Sequence, residues 1–406
     1  MVGKGVTFIV SNFEVTVEKL VYGGDGLARL DGRVVFAPFV LPGERIRVRP
    51  EQEKPGLIHA KTLAIVEKSA ERVAAPCPVF GRCGGCHYQH AGYPYQLEAK
   101  RQILAEALRR VGKMAAPAEI AVLAGEPWGY RNRVQLQVSG GKLGFREARS
   151  HKMCATGECP IASPKINQTM EILRRMLPDR RWPRMVRSLE LFTDESGVQL
   201  NVIESDRPVA KRFFEWCAEN IPGLVEGALD YQGRFRVSRG SFFQVNRFLL
   251  DGLVEAAVAG AEGDSAFDLY AGVGLFAPAL ARKFRQVTAV ESGAGAVRDL
   301  EFNVERAGCT NVRAEARMVE EFLQEREEPA DFVLLDPPRA GLGKAVVQRL
   351  AELQPRQVAM VACDPATLAR DLAGMLAAGY RVERIAMIDL FPQTYHLEAV
   401  VLLHRV

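Results

Sequence analysis

The residue of this chain best suited to covalent chemistry is Cys363, which follows a short apolar run from Gln357 to Val361. The run has the length and composition of a buried strand, and the residues from Ala366 onward have the pattern of a helix. Cys363 is therefore expected at the carboxyl end of a strand, where open α/β sheets place their chemistry. A thiol there is either a nucleophile or a small buried apolar side chain, and the local sequence leaves both open.

Two carboxylates stand beside similar apolar runs. Asp336 opens an Asp-Pro-Pro-Arg turn directly after Phe332–Leu335, and Glu398 directly precedes Ala399–Leu403. Because prolines stiffen the turn, Asp336 either points into a cleft at the end of a strand or belongs to a proline turn that simply ends the strand. Glu398 is either a capping charge or a catalytic base.

A tight Gly-x-Gly turn at Gly272 and Gly274 follows another strand candidate, Ala266–Tyr270. Glu291 ends the next apolar strand, nineteen residues after Gly272. Nucleotide-binding βαβ units place an acid there to accept hydrogen bonds from ribose hydroxyls. The turn lacks the full dinucleotide fingerprint, and a short turn suits S-adenosylmethionine, which has no pyrophosphate to hold.

A third group of residues has the spacing of metal ligands. Cys77, Cys83 and Cys86 form a C-x5-C-x2-C pattern with glycines inside the knuckle. Such a knuckle lets two thiolates approach one metal, and a fourth ligand is needed from Cys154 or Cys159. Four thiolates hold either zinc or an iron–sulfur cluster, and the spacing does not decide between them.

Three regions must position these groups. The segment from Phe13 to Val66 alternates as short strands, with a hairpin signal at Asp31-Gly32, and this predicts a small OB-like barrel. Three arginines on one strand, at positions 45, 47 and 49, predict a basic face. A helix is predicted from Pro94 to Val111, ahead of a largely antiparallel middle region. From Asn246 onward, helices alternate with apolar strands as in a doubly wound sheet.

Composition fits an ordinary water-soluble protein. The chain has 406 residues, 25% of them charged, and a net charge of +4, which permits a nucleic-acid partner without requiring one. No apolar run is long enough to span a bilayer, and the N-terminus has no secretory signal pattern. We therefore expect a cytoplasmic protein, whose eight cysteines serve as metal ligands and isolated thiols rather than disulfides.

Six separated motifs resemble the RNA uridine-5-methyltransferase family, and closest are its members acting on large-subunit ribosomal RNA. The motifs are PCPVFGRCGGCHYQH (76–90), SFFQVN (241–246), FDLYAGVGLF (267–276), LLDPPRAG (334–341), ACDPATLARD (362–371) and HLEAVVLL (396–403). The resemblance implies a multidomain α/β protein. Its parts are a TRAM barrel of OB-like fold that binds RNA (1–67), a central α+β domain with a 4Fe-4S cluster (68–245) and a Rossmann-like methyltransferase domain (246–406).

The resemblance also implies a role for each motif residue. Cys363 matches the nucleophile and Glu398 the base. Four residues match positions that contact S-adenosylmethionine: Gln244, Tyr270, Glu291 and Asp336. Four cysteines match the cluster ligands: Cys77, Cys83, Cys86 and Cys159. The chain departs from the family pattern at three places. Family members more often carry a polar residue at the position of Leu275 and an Asp or Asn near Arg317-Met318. They more often carry an Asn at the position of Asp364.

The implied function is methyl transfer from S-adenosylmethionine to carbon 5 of a uridine in 23S ribosomal RNA, by a monomer with no membrane partner. A transfer RNA uridine-5-methyltransferase is the first alternative. A non-catalytic RNA-binding assembly factor is the second, and an amino-group methyltransferase, suggested by the Asp-Pro-Pro turn, is the third. Intact Cys363 and Glu398 argue against these last two.

Overall fold

A computed structural model of the chain describes residues 11–114 and 119–406. The N-terminal residues 1–10, where the sequence predicts no secretory signal, lie outside the described part. The described residues fall into two compact units. Of these residues, the first unit takes 11–103, Glu147–His151 and Phe391–His396, and the second takes 104–114, 119–146, Lys152–Leu390 and Leu397–Val406.

A closed barrel in the first unit confirms the predicted OB-like fold. Its strands are β1 (Phe13–Leu20), β2 (Asp25–Leu30), β3 (Arg33–Pro38), β4 (Arg45–Lys54) and β5 (Leu57–Glu67), in the order β1-β2-β3-β5-β4. The predicted hairpin joins β2 to β3, with Asp31 and Gly32 at φ 48° and 77°. Both angles are positive, as a two-residue hairpin turn requires. Alternate apolar residues fill the barrel, among them Val17, Val35 and Ile46.

The middle of the chain forms a mixed region. Its elements are α1 (Tyr93–Arg110), β6 (Ala121–Leu123), β7 (Arg133–Ser139), β8 (Lys142–Arg146), β9 (Met153–Ala155), α2 (Pro164–Met176), β10 (Val186–Thr193), β11 (Val198–Ser205), α3 (Lys211–Asn220), β12 (Leu224–Val225), β13 (Leu229–Tyr231) and β14 (Phe235–Val237). Six of these strands form one sheet in the order β12-β11-β10-β7-β8-β9, antiparallel except at β11-β12. This agrees with the predicted antiparallel character.

The remaining elements alternate between helix and strand. They are α4 (Leu250–Ala257), β15 (Gly263–Leu269), α5 (Ala277–Ala281), β16 (Phe284–Glu291), α6 (Ala294–Arg306), β17 (Val312–Ala316), α7 (Val319–Gln324), β18 (Phe332–Leu335), α8 (Gly343–Leu353), β19 (Gln357–Ala362), α9 (Pro365–Ala377), β20 (Tyr380–Ile388) and β21 (Glu398–Arg405). Together with β6 they build an eight-stranded sheet in the order β17-β16-β15-β18-β19-β21-β20-β6.

Strand direction decides where this sheet can place chemistry. The neighbours from β17 to β19 run parallel, while β21 is antiparallel to both β19 and β20. The carboxyl ends of the parallel strands and the amino end of β21 therefore meet at one edge. The strands beneath that edge are apolar and buried, as in the run from Phe332 to Leu335. Among the described helices, none combines the length and apolar character that crossing a bilayer requires.

Candidate active site

Five of the predicted site residues lie at this one edge of the sheet. Tyr270 follows β15, Glu291 ends β16, Asp336 follows β18 and Cys363 follows β19. Glu398 is the first residue of β21. Because Ala362 of β19 pairs with Ala399 of β21, the next positions outward, Cys363 and Glu398, are opposed neighbours. The strand order thus sets the predicted nucleophile and base side by side, with the predicted cofactor residues on the neighbouring strands.

The Cys363 thiol is half-buried, and its surroundings hold the proton on it. Burial and the nearby Glu398 carboxylate raise the pKa of Cys363 to about 11, with Asp336 adding to the rise and Arg339 opposing it. At neutral pH the thiol is therefore protonated in the protein alone. A reaction through the thiolate requires additional positive charge at this edge or a proton acceptor.

Glu398 is buried, with 4% of its surface exposed. Burial raises the pKa of its carboxyl group well above the ordinary range, Asp336 raises it further, and the Arg339 guanidinium opposes both. A carboxyl group in such a site is a stronger proton acceptor than an exposed one once it is ionised.

Asp364 follows the thiol, but its side chain serves the next helix. Its Oδ1 atom accepts hydrogen bonds of 2.9 Å from the backbone N–H groups of Ala366 and Thr367. Asp364 is thus the N-cap of α9, a role that asparagine fills equally well. This departure from the family pattern therefore preserves the local geometry, and the carboxylate is held at the helix.

The turn that carries Asp336 and Arg339 is fastened to α9. Asp371 accepts a hydrogen bond of 2.7 Å from the Leu342 N–H, and the Arg370 guanidinium donates one of 2.9 Å to the carbonyl of Ala340. A small cleft lies between this turn and the end of β19. Its lining includes Pro337, Pro338, Arg339, Cys363, Asp364 and Thr367. The thiol therefore borders an opening bounded by rigid backbone.

Backbone amides hold Glu291 in the glycine turn. Its Oε2 atom accepts from the Gly272 N–H at 3.0 Å, and its Oε1 atom accepts from the Gly293 N–H at 2.7 Å. Gly274 has φ 86°, and a Cβ atom there would lie 2.6 Å from the Leu300 side chain. Only glycine fits that position. The glycine turn and Glu291 are joined by the hydrogen bond from the Gly272 N–H.

Tyr270 and Gln244 complete the set that the family resemblance assigns to the cofactor. Tyr270 has φ 61°, a left-handed conformation that is rare outside glycine and that concentrates at functional sites. Burial, with smaller contributions from Glu320 and Asp371, raises the pKa of its phenol. Gln244 is buried, and α6 anchors the segment before it, because Asp299 accepts hydrogen bonds from the N–H and hydroxyl of Ser238 and from the Ser241 hydroxyl.

The other departures from the family pattern lie on this side of the sheet. Leu275 is buried, with 8% of its surface exposed. The Arg317 guanidinium forms two hydrogen bonds, of 2.6 and 2.8 Å, with the Glu325 carboxylate. Met318 is the N-cap residue of α7 and is 49% exposed. Neither Leu275 nor Met318 offers a hydrogen-bonding side chain.

Sequence reasoning missed Asp268, a carboxyl group inside β15. It has no exposed surface, and neither of its carboxylate oxygens has a hydrogen-bond partner among the described residues. Its signal was a charged residue inside the apolar run from Ala266 to Leu269. Unpartnered buried oxygens beside Glu291 and Asp336 fit a cofactor that brings positive charge to this edge, as S-adenosylmethionine does.

The structure does not support the metal site predicted at the cysteines. Cys77 and Cys83 are half-buried and Cys86 is buried in the first unit, while Cys154 is buried and Cys159 half-buried in the second. Within residues 11–114 and 119–406, no three or more His, Cys, Asp or Glu side chains are grouped so as to hold a metal ion.

The basic face predicted on the barrel is partly neutralised. Arg45 pairs with Glu67 at 2.6 Å and with Glu14 at 2.8 Å, and Arg47 also pairs with Glu14 at 2.8 Å. Arg49 is exposed on the same strand. Carboxylates on neighbouring strands thus neutralise two of the three guanidiniums. The alternation of residues along one strand does not predict these pairs, because the carboxylates come from other strands.

Comparison with known proteins identifies the fold and the family. Residues 224–406 match the family model for tRNA (uracil-5-)-methyltransferase, and residues 7–63 match the TRAM domain. The crystal structure of Pyrococcus abyssi tRNA (uracil-54, C5)-methyltransferase in complex with S-adenosyl-L-homocysteine is similar over 96% of this chain and 99% of that one. Its TM-score is 0.77, with 27% sequence identity.

Two relatives match over nearly their whole length. An uncharacterised RNA methyltransferase of Streptomyces coelicolor is 36% identical, covering 99% of this chain and 94% of the relative. One from Aquifex aeolicus is 30% identical, covering 96% and 98%. Together with the sheet edge and its residues, these matches show that the chain belongs to the S-adenosylmethionine-dependent RNA uracil-5-methyltransferase family.

Proposed function

We propose that this protein methylates carbon 5 of a uridine in RNA through a covalent adduct between Cys363 and carbon 6 of the base. The observation that supports this proposal is the register of β19 and β21, in which Cys363 and Glu398 are opposed neighbours at the carboxyl edge of the parallel strands. A nucleophile next to a base is the arrangement that an addition–elimination reaction needs.

The chemistry assigns one step to each side chain. The Cys363 thiolate adds to carbon 6, and the electron pair of the 5,6 double bond moves onto carbon 5 and the carbonyl oxygen at position 4 as an enolate. S-adenosylmethionine supplies an electrophilic methyl group when it is bound. After carbon 5 has taken that methyl, Glu398 removes the remaining hydrogen from carbon 5 as a proton. The double bond re-forms and the thiolate leaves.

Activation of the thiol follows from the charges at the edge. The pKa of Cys363, about 11 in the protein alone, falls when positive charge arrives, because a nearby cation favours the thiolate. Arg339 already acts in that direction, and a sulfonium cofactor adds to it. We propose that Gln244, Tyr270, Glu291 and Asp336 hold that cofactor, as the family resemblance implies.

The target base must leave any stack to reach Cys363. Phe242 lies two residues before Gln244 and is 66% exposed, which is unusual for a large apolar side chain. An exposed aromatic ring beside the site offers a surface on which an RNA base can stack. The TRAM barrel is the second RNA-binding element that we propose, with Arg49 facing the phosphates.

Two kinds of RNA are candidate substrates. Ribosomal 23S RNA is the target that the sequence motifs imply, while likeness to the Pyrococcus abyssi enzyme supports transfer RNA. Mapping 5-methyluridine in both RNAs from cells with and without this protein distinguishes them. We expect one modified position to disappear on deletion and to return with the wild-type gene but not with Cys363→Ala. A map that does not change on deletion would contradict the proposed function.

For the iron–sulfur cluster, support comes from the spacing of Cys77, Cys83 and Cys86 with Cys159 and from the family resemblance. If the cluster is present, protein purified anaerobically is brown, absorbs broadly near ~400 nm and contains iron and sulfide. Replacing Cys86 by serine should then bleach the protein, while Cys309→Ser on the loop after α6 leaves the colour unchanged. A colourless wild-type protein with stoichiometric zinc would refute the cluster.

A further inference from the structure

One face of α6 carries two buried polar side chains that the proposed reaction does not use. Asp299 has no exposed surface, and Asn303 has 1% of its surface exposed. The two residues are four positions apart, so they lie one turn apart on the same side of the helix. Burying a carboxylate and an amide is costly unless hydrogen bonds compensate the loss of water. The partners of these two side chains therefore show what this face of α6 holds in place.

Asn303 joins two separate parts of the candidate site. Its Nδ2 atom donates to the carbonyl of Val273 at 2.9 Å and to the carbonyl of Arg236 at 3.0 Å, and its Oδ1 atom accepts from the Arg236 N–H at 2.6 Å. Val273 lies inside the glycine turn, between its two glycines. Arg236 lies on β14, in the stretch of chain that leads to Gln244. A single amide therefore ties the glycine turn to β14.

Asp299 holds the residues that follow β14. Its carboxylate accepts hydrogen bonds of 2.7 Å from the N–H and from the hydroxyl of Ser238, and one of 2.9 Å from the Ser241 hydroxyl. Phe242 comes next and is 66% exposed, whereas Gln244 is buried. The chain from β14 to Ser241 is thus fastened to α6 directly before the residues that we propose to meet RNA and the cofactor.

We propose that Asp299 and Asn303 are positioning residues that couple binding of the cofactor to binding of RNA. The inference rests on the proposed function, which places S-adenosylmethionine at the glycine turn and an RNA base on Phe242. A cofactor that orders the glycine turn also orders, through Asn303, the segment that presents Phe242. RNA that binds afterwards loses less conformational entropy, so its affinity is higher. By thermodynamic linkage, bound RNA raises the affinity for the cofactor by the same factor.

Binding measurements without methyl transfer test this coupling. The RNA probe is fluorescently labelled oligouridine, and the second ligand is S-adenosylhomocysteine, which has no methyl group to give. The full chain carries Cys363→Ala, so that no adduct forms, and fluorescence anisotropy gives the RNA affinity with and without the second ligand. We expect RNA to bind at least about fivefold more tightly when the second ligand is present. Adding Asn303→Leu, which keeps the side-chain size, should lower this ratio to about one while each ligand alone still binds.

Asn311→Leu, in the same background, is the matched control. The Asn311 Nδ2 atom also donates to two backbone carbonyls, those of Ala281 and Phe284, both at 2.8 Å. These bonds join the end of α5 to the first residue of β16, at the opposite end of that strand from Glu291. Their loss should destabilise the protein and leave the affinity ratio unchanged. A purely structural role of Asn303 predicts the same unchanged ratio for Asn303→Leu.

The outcomes separate this inference from the proposed function. A ratio of one before Asn303 is changed would overturn the inference, as would an Asn303→Leu protein that keeps the full ratio. If Asn303→Leu does not fold, Ser241→Ala removes one hydroxyl bond to Asp299 and should lower the ratio at least about twofold. An unchanged ratio in that variant would overturn the inference. Methyl transfer by Cys363→Ala would instead refute the covalent mechanism, and it would leave the ratio as it is. A protein that does not bind S-adenosylhomocysteine at all would refute the proposed function and the inference together.

Discussion

Replacing Cys363 by alanine is expected to lower methyl transfer to RNA by at least about a thousandfold while leaving binding of S-adenosylmethionine unchanged. Carbon 5 of uracil is a poor nucleophile, and in the proposed reaction only the sulfur adduct at carbon 6 makes it reactive. The cofactor residues lie on neighbouring strands, so truncating the thiol leaves them in place. Transfer of a labelled methyl group measures the first effect, and calorimetry with the cofactor measures the second.

Two control variants show whether the loss of methyl transfer is specific to the Cys363 thiol. Cys363→Ser retains the size of the side chain but replaces the thiol with a far weaker nucleophile, so it should be nearly as inactive as alanine. Cys309→Ala changes another half-buried thiol, on the loop after α6, and should keep full activity. Substantial turnover by Cys363→Ala would rule out a covalent mechanism through this residue.

Replacing Glu398 by glutamine is expected to lower turnover by about 10²- to 10⁴-fold while a covalent RNA–protein complex accumulates. Glutamine keeps the shape of the side chain but accepts no proton, so carbon 5 cannot lose its hydrogen after methylation. The thiolate then has no route to leave. Denaturing electrophoresis with labelled RNA detects the complex, and the double variant with Cys363→Ala should not form it. Turnover loss without any trapped complex would contradict the assignment of Glu398 as the base.

The same variant tests the electrostatics of the thiol. The Glu398 carboxylate contributes to the raised pKa of Cys363, so removing its charge should shift the pH profile of Cys363 alkylation to lower pH. Alkylation reports the thiolate, whose fraction rises with pH towards a pKa of about 11 in the wild type. Mass spectrometry of the peptide containing Cys363 separates it from the other cysteines. Asp364→Asn, whose side chain caps α9, should leave the profile unchanged.

Much of the architecture was predictable because the local residue patterns agree with the strands and helices that form. Apolar runs such as Phe332–Leu335 are too short for helices and are bounded by turns, so they identified the strands and the residues that end them. Parallel strands bring their carboxyl ends to one edge, and this made it predictable that Asp336 and Cys363 share a site. The opposed position of Glu398 depends on β21 running antiparallel between β19 and β20, and no local pattern fixes that order.

The details that escaped prediction depend on which partner each charged side chain finds. Asp364 could have faced the thiol, but backbone N–H groups at the start of α9 hold it instead. Arg45 and Arg47 were predicted to form a basic face, but carboxylates on adjoining strands pair with them. Asp268 stands out in the sequence as a charge within an apolar run, but only the structure shows that both of its carboxylate oxygens are buried without a hydrogen-bond partner among the described residues.

The position of β21 also has a consequence for the order in which the protein folds. This strand lies between β19 and β20, both of which precede it in the chain, and it carries Glu398 at its first position. While the polypeptide is being synthesised, β19 and β20 are therefore complete before the strand that separates them exists. The gap exposes two unpaired edges of the kind that invite association with other chains. Insertion of β21 closes both edges and supplies Glu398 in the same event, so the sheet becomes complete and the proposed base takes its place together.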